Sequence, residues 1–408
     1  MKRKAFLFIT TILYTTKSFA IAEFAREYSV DCTTCHTMIP SLNETGKSFL
    51  RNGFRFSSED SPTLKKIITP KQNESRPIPF SIIVKESYDT NSEDYQSKIK
   101  LYTAGTVTKN ISFFGVTKDN LNSNNRGDNQ NLFTQKSSRA YIELNLEEDK
   151  HQIRAGLISP LTQFGNILKS SADSGLKGHN SQNEPKHQNK QNSQRGNGYN
   201  HQKYATNNRN SQKKRQNSHY QTPIQNSYIG NIKGIEYSYL LNNKLMAMVS
   251  YGKSIEKREN AQNRMQQYSS NDNYQFTSGL KYNTDNRVSF GIVYNRFEKM
   301  EQDNFSILIP IEKEFDTTQI VSTLVYRDKT KKEDEYYGIE NSIIYAITPN
   351  DYIRAIVNYG LEDNKNSYGL SLTYSKAYRY MLFHLTGARR DNQDSGENLL
   401  LGSISLMF

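Results

Sequence analysis

The sequence predicts a mainly β chain in which an antiparallel barrel of about sixteen strands follows a short α-helical head. From residue 78 onward, apolar and polar residues alternate with a period of two in segments parted by polar turns, the pattern of strands with two unlike faces. The connections sort alternately into short turns and longer loops, as expected when turns gather at one end of a closed meander. The last segment, 399–408, is the clearest: Leu400, Gly402, Ile404, Leu406 and Phe408 share one face, and Leu401, Ser403, Ser405 and Met407 the other.

Residues 1–22 read as an export signal. Met1-Lys2-Arg3-Lys4 precede an apolar run from Ala5 to Tyr14, and small residues allow cleavage after Ala20 or Ala22. An uncleaved anchor asks for about 18 or more apolar residues, and this run is shorter and contains threonines. No later window suits a membrane-crossing helix: hydrophobic residues are 35% of the chain and mean hydropathy is −0.79. Such a polar average is also what a barrel with a wet lumen shows.

Residues 23–60 form the head. It holds Cys32-Thr33-Thr34-Cys35-His36, and Cys32 and Cys35 are the only cysteines in the chain. This spacing is the signature of one covalently attached haem c, with both thiols bonded to the porphyrin edge and His36 as the proximal axial ligand of the iron. A zinc site would need further ligands with their own local spacing, and the other histidines lie more than a hundred residues away. A disulfide or redox couple is the remaining alternative, although no βαβ unit surrounds the motif. Pro40 suits the first turn of a following helix and Gly53 its end, with Leu42, Phe49 and Leu50 placed to press on the porphyrin. A head of about forty residues is too small to enclose both faces of a haem, so another part of the chain must cover it.

After a linker at 61–77, the segment 78–408 is the barrel. Val288, Phe290, Ile292 and Tyr294 alternate with Ser289, Gly291, Val293 and Asn295; Ile142, Leu144 and Leu146 alternate with Tyr141, Glu143 and Asn145. Glutamate on one face implies a wet lumen. Short turns are expected near 108–109, 147–150, 241–243, 283–286, 312–315, 349–350 and 376–377, with long loops between them. Consistent alternation then requires 305–311 to be a strand, which brings the count to sixteen. The 27 tyrosines and 19 phenylalanines can supply the girdles at the two membrane interfaces. A soluble periplasmic β-sandwich also alternates, but it does not sort its loops in this way.

The segment 169–225 is rich in Asn, Gln, Ser, Lys and His. It carries ten Lys or Arg against Asp173 and Glu184, a net of +8 that supplies most of the chain's +12. By parity it is an extracellular loop, and its composition is that of a solvated, disordered segment. Attraction to surface polyanions, or weak metal capture by His179, His187, His201 and His219, are the functional options. Nucleic acid is not an expected partner of an exported barrel.

The stretch from Phe24 through His36, followed by Pro40, Leu42-Asn43, Gly46, Phe49 and Gly53-Phe54, resembles the monohaem head of fused cytochrome-porins. These are outer-membrane proteins of Gram-negative bacteria, best known as iron oxidases, and the carboxyl-terminal Phe408 is similar to the aromatic read by the outer-membrane assembly machinery. The likeness covers the whole mature chain in layout, but only the head in motif. It implies a haem in or at the mouth of the barrel lumen. It also implies electron transfer between an extracellular donor, Fe(II) being the sharpest candidate, and a periplasmic cytochrome or other acceptor. A diffusion porin whose haem head is a plug or sensor is the competing class.

The sixth ligand of the haem iron is not evident. Met38 is too close to His36 to reach the opposite face. Met246 and Met248, expected on a lumen face with Lys244 and Ser250, are candidates, as is His384 on a face with Tyr380 and Thr386.

Overall fold

The computed structural model describes residues 24, 28, 30, 32–38, 41–56, 80–89, 94–108, 110–120, 139–147, 150–162, 164, 222–242, 244–255, 273–299, 302–329, 335–348, 350–362, 365–378, 381–392 and 395–407. The expected signal peptide, the linker and most of the basic loop, with its four histidines, lie outside them.

The head contains α1 (Cys32–Cys35), β1 (His36–Met38), β2 (Ser41–Leu42) and α2 (Glu44–Arg51). The first half of the barrel is β3 (Phe80–Asp89), β4 (Asp94–Thr106), β5 (Ile111–Asn120), β6 (Arg139–Leu146), β7 (His151–Ile158), β8 (Ile232–Leu241), β9 (Leu245–Ser254) and β10 (Tyr274–Asn283). The second half is β11 (Val288–Lys299), β12 (Gln302–Glu314), β13 (Thr318–Arg327), β14 (Tyr336–Thr348), β15 (Asp351–Glu362), β16 (Lys365–Tyr378), β17 (Met381–Asn392) and β18 (Ser395–Met407). A short helix, α3 (Pro223–Asn226), precedes β8.

Each barrel strand pairs antiparallel with its sequence neighbours, and β18 closes on β3 with Ile404 opposite Glu86. The barrel therefore has sixteen strands and no free edge, which satisfies every ladder inside a bilayer. The segment 305–311 lies within β12 as expected. Pro310 marks a local exception: β11 and β12 pair Phe290 with Ile311 and Val293 with Leu308, and the two positions between drop out of the ladder. Proline has no N–H to donate there.

The two faces of the strands separate as the alternation requires. Ile142, Ile235, Leu280, Val357, Leu370 and Leu385 are exposed on the outside, whereas Glu143, Asn295, Thr323 and Ser375 are buried toward the lumen. Aromatics flank this apolar band. At one end Tyr282 and Phe290 pack at 5.3 Å; at the other, Tyr294, Phe305, Tyr326 and Tyr337 run as a chain with ring centroids 5.2 to 6.0 Å apart. An apolar belt between two aromatic girdles is the exterior that a bilayer selects.

Three expectations about connections need correction. The turns expected at 312–315 and 376–377 fall largely inside β12, which continues to Glu314, and inside β16, which continues to Tyr378 and pairs it with Met381. Not every outer connection is long: β11 ends at Lys299 and β12 begins at Gln302, and the links after β15 and β17 are equally short. Strands here extend until pairing ends, so polar residues near a strand tip need not mark the turn. The basic loop was expected to run to residue 225, yet 222–225 belong to structured chain. The Gln225 side-chain oxygen accepts the Thr222 N–H at 3.1 Å across the first turn of α3, and Pro223 and Ile224 are buried in the lumen. Ser227 then offers its carbonyl to the Ser306 hydroxyl at 2.7 Å, pinning the loop's end to the wall of β12.

Candidate functional site

Asn43 organises the head. Its side-chain oxygen accepts the Gly46 N–H at 2.9 Å as the N-cap of α2, its own N–H donates to the Cys35 carbonyl at 3.0 Å, and its amide donates to the Thr34 carbonyl at 3.1 Å. One residue thus starts α2 and ties it to the cysteine motif. Gly46 permits the contact, because a Cβ at that position would overlap the Cys35 carbonyl oxygen. The helix expected from Pro40 begins instead after Asn43, since the stronger cap determines the start. Leu42, expected on that helix, lies in β2 opposite His36. Gly53, expected at the end, follows α2 with a φ of +63°, and Phe54 shares this left-handed backbone at +64°.

That turn drives the head into the barrel. Phe54 is stacked on Phe24 at 5.1 Å and on Phe114 of β5 at 5.8 Å, and Phe114 is stacked on Tyr141 of β6 at 5.3 Å. Phe49 is buried among Phe24, Tyr28 and Phe56 at 4.8 to 5.6 Å. The Gly53 carbonyl accepts the Thr106 hydroxyl at 3.3 Å, and the Tyr28 hydroxyl donates to the Phe54 carbonyl at 3.1 Å. Beneath the turn, Asn145 donates to Glu143 at 3.1 Å. Arg154 joins Glu143 at 2.7 Å to Glu236 at 3.3 Å, so this fully buried wall carries its charges in a paired triad.

On the other side of α2, Lys47 reaches the wall. Its ammonium lies 2.7 Å from Glu314 and 3.9 Å from Glu312 of β12, and 3.1 Å from Glu44 of its own helix. Gln319 donates to Glu312 and holds that carboxylate in place. Burial pushes the Lys47 pKa down, but Glu312, Glu314 and Glu44 together outweigh it and hold the ammonium well above its usual range. Burial raises Glu44, and Lys47 beside it turns the net shift downward. All these wall residues stand near the short-turn end of the barrel, where both β3 begins and β18 ends. The head is therefore seated in the lumen at the end that faces the periplasm in barrels of this orientation.

Positions 32 and 35 fall three residues apart on the single turn of α1, and His36 follows directly. The residue types at 32, 35 and 36 are those that a c-type haem would require. Among the described residues no cluster of three or more His, Cys, Asp or Glu is arranged to hold a metal ion. Met246 and Met248 lie on the lumen face of β9, both buried, as the alternation requires. Met246 stands opposite Lys281, which feels the charges of Glu312, Lys47, Glu44 and Arg51; this places Met246 beside the head. Met248 packs higher, with Phe164, Val293 and Leu308. His384 is on β17, on another arc of the wall, with its ring 2.7 Å from the Ser375 hydroxyl. Asn43 and Lys47 were missed in the sequence. Asn43 carries a legible signal as an Asn before Glu-Thr-Gly; the wall contact of Lys47 carries none, because Glu312 and Glu314 lie more than 260 residues away.

No family model matches this sequence, and no curated protein matches it. Among solved structures, the barrel is similar to an anion-selective porin from Comamonas acidovorans, with a TM-score of 0.50 and 9% identity over 81% of this chain and 98% of that one. OmpT, an outer membrane protein of Vibrio cholerae, aligns at a TM-score of 0.46 with 9% identity, and a Rhodopseudomonas blastica porin mutant at 0.45 with 13%, each over the same shares of the two chains. At this identity the likeness to the first shows the fold alone: a porin-type barrel.

Proposed function

We propose that this protein is a porin-type outer-membrane barrel whose head carries one covalent haem c through Cys32, Cys35 and His36 and moves electrons between an extracellular donor and a periplasmic acceptor. The observation that supports it most is the seat of the head. A segment too small to enclose a haem is held inside the lumen by the aromatic stack on one side and Lys47 on the other. The wall then provides the enclosure that the head lacks. A bound haem would supply a one-electron change at iron; the chain's own task is to hold the group, shield it and set the local charge. Fe(II) is the sharpest donor candidate, on the resemblance of the head to those of fused cytochrome-porins.

The porin-type fold favours a second reading, a diffusion channel in which the head is a plug or sensor. Three measurements on the purified full chain separate them. A haem stain that survives denaturation, with rapid haem reduction by added Fe(II) or another donor and low bilayer conductance, is the outcome expected for a conduit. Covalent haem that no external donor reduces, together with a conducting channel, would favour the plugged porin. Absence of covalent haem would overturn both haem-based readings.

A further inference from the structure

Arg354 lies on the lumen face of β15 and is only 8% exposed, yet its Nε meets no hydrogen-bond acceptor. A buried guanidinium N–H without an acceptor is costly. Its position is informative. The registers β12 to β17 place Glu314, Gln319, Ile344, Arg354, Thr373 and Thr386 in one row across the wall. Glu314 at one end of that row is the residue that grips Lys47 of the head. Arg354 itself lies three residues from the start of β15 at the short-turn end, the end that seats the head, and three strands round the wall from Glu314.

The surroundings of Arg354 are polar and fixed. Thr373, directly across from it, shares a hydrogen bond of 3.0 Å with Thr386. In the next row toward the short-turn end, Ser375 is bonded to His384. Tyr352 and Ile344 flank the site with apolar surface. The arc offers a guanidinium and hydroxyls, and among the described residues no carboxylate is hydrogen-bonded to Arg354. A planar donor fork of this kind matches a carboxylate in two-point contact.

We propose that Arg354 is the wall's carboxylate-receiving residue and that the carboxylate is a propionate of the haem carried by the head. The inference rests on the haem reading above. It makes Arg354 a positioning residue that fixes the haem edge and adds positive charge beside the iron, favouring the reduced state.

The test is spectroelectrochemical titration of the full-length, haem-loaded protein and its Arg354→Gln and Arg354→Lys variants. Arg354→Gln is expected to lower the reduced-to-oxidised ratio at fixed potential about tenfold, a midpoint shift of about 59 mV for a one-electron couple, at unchanged haem content. Arg354→Lys is expected to retain most of the wild-type potential, while the propionate bands of its resonance Raman spectrum move because the two-point contact is lost. If Arg354→Gln does not fold, those bands in the lysine variant decide, and unchanged bands overturn the proposal. Unmoved potentials in both variants also overturn it, as does an unmoved potential with altered bilayer anion selectivity, which would assign the site to free carboxylates in the channel. A wild-type chain without covalent haem removes the premise instead, and the haem stain reports that separately.

Discussion

Lys47 concentrates the residue-scale energetics of the head. It is largely buried, with two wall glutamates as partners, so its removal leaves carboxylates without their counter-charge in a shielded site. Lys47→Met is expected to weaken seating of the head by about 3 kcal/mol, the lower end of the range for breaking a buried pair. The measurement is single-channel conductance, which should rise and become noisy relative to wild type; a silent variant would mean the aromatic stack suffices. The pH dependence follows from the same residue. A lysine whose pKa is raised in the folded state stabilises fully below its ordinary value near 10.5, and that stability is lost only as pH rises through the higher folded value. Conductance of the wild type should therefore stay flat from pH 7 to 10 as far as Lys47 governs it. An opening within that window would contradict the geometry around Glu314.

At the scale of elements, the strands were legible because their environment is two-sided. Water-facing and lipid-facing positions alternate along β11 and β18, and the sequence alternates with them. Turn positions were legible to within a residue or two for the same reason, except where β12 continues to Glu314 and β16 continues through Lys376 and Ala377. The head was legible in its motif and less so in its shape, since Asn43 overrides Pro40 as the start of α2. The end of the basic loop was misread because composition averages over a segment, whereas Pro223 and Ile224 pack as individuals against Tyr336 and Gly338. The lipid-facing stripe of β16 gives an element-scale prediction. Leu370, half exposed in the middle of the apolar band, should tolerate apolar exchange. Leu370→Arg is expected to cost about 2–4 kcal/mol in refolding into bilayers, read as a shift in the urea midpoint. A shift below 1 kcal/mol would mean that this face is not against lipid.

For the whole molecule, the question is what remains open when both ends of the lumen hold chain. The head fills the short-turn end, and α3 with Phe164 is packed on the wall beyond it. Deleting residues 24–56 should convert a poorly conducting barrel into an open channel and leave closure intact, because the ladders of β3 to β18 do not involve the head. Bilayer conductance, with heat-modifiable migration as the check on folding, measures both. Loss of heat-modifiability in the deletion would show that the head is part of the barrel's framework rather than its occupant. That the small head needs another part of the chain to cover it was legible in the sequence; the contacts that hold it were not, since a pair such as Lys47 with Glu314 leaves no local pattern.

That same contact fixes an order of events in time. The hydrogen bond from Lys47 to Glu314 spans 267 residues, while every strand pairing except the closing one joins immediate neighbours in the chain. Local hairpins form before distant partners meet, because loop closure becomes costlier with separation. The segment that leaves the ribosome early thus settles late, because it must wait for β12 before it has anywhere to go.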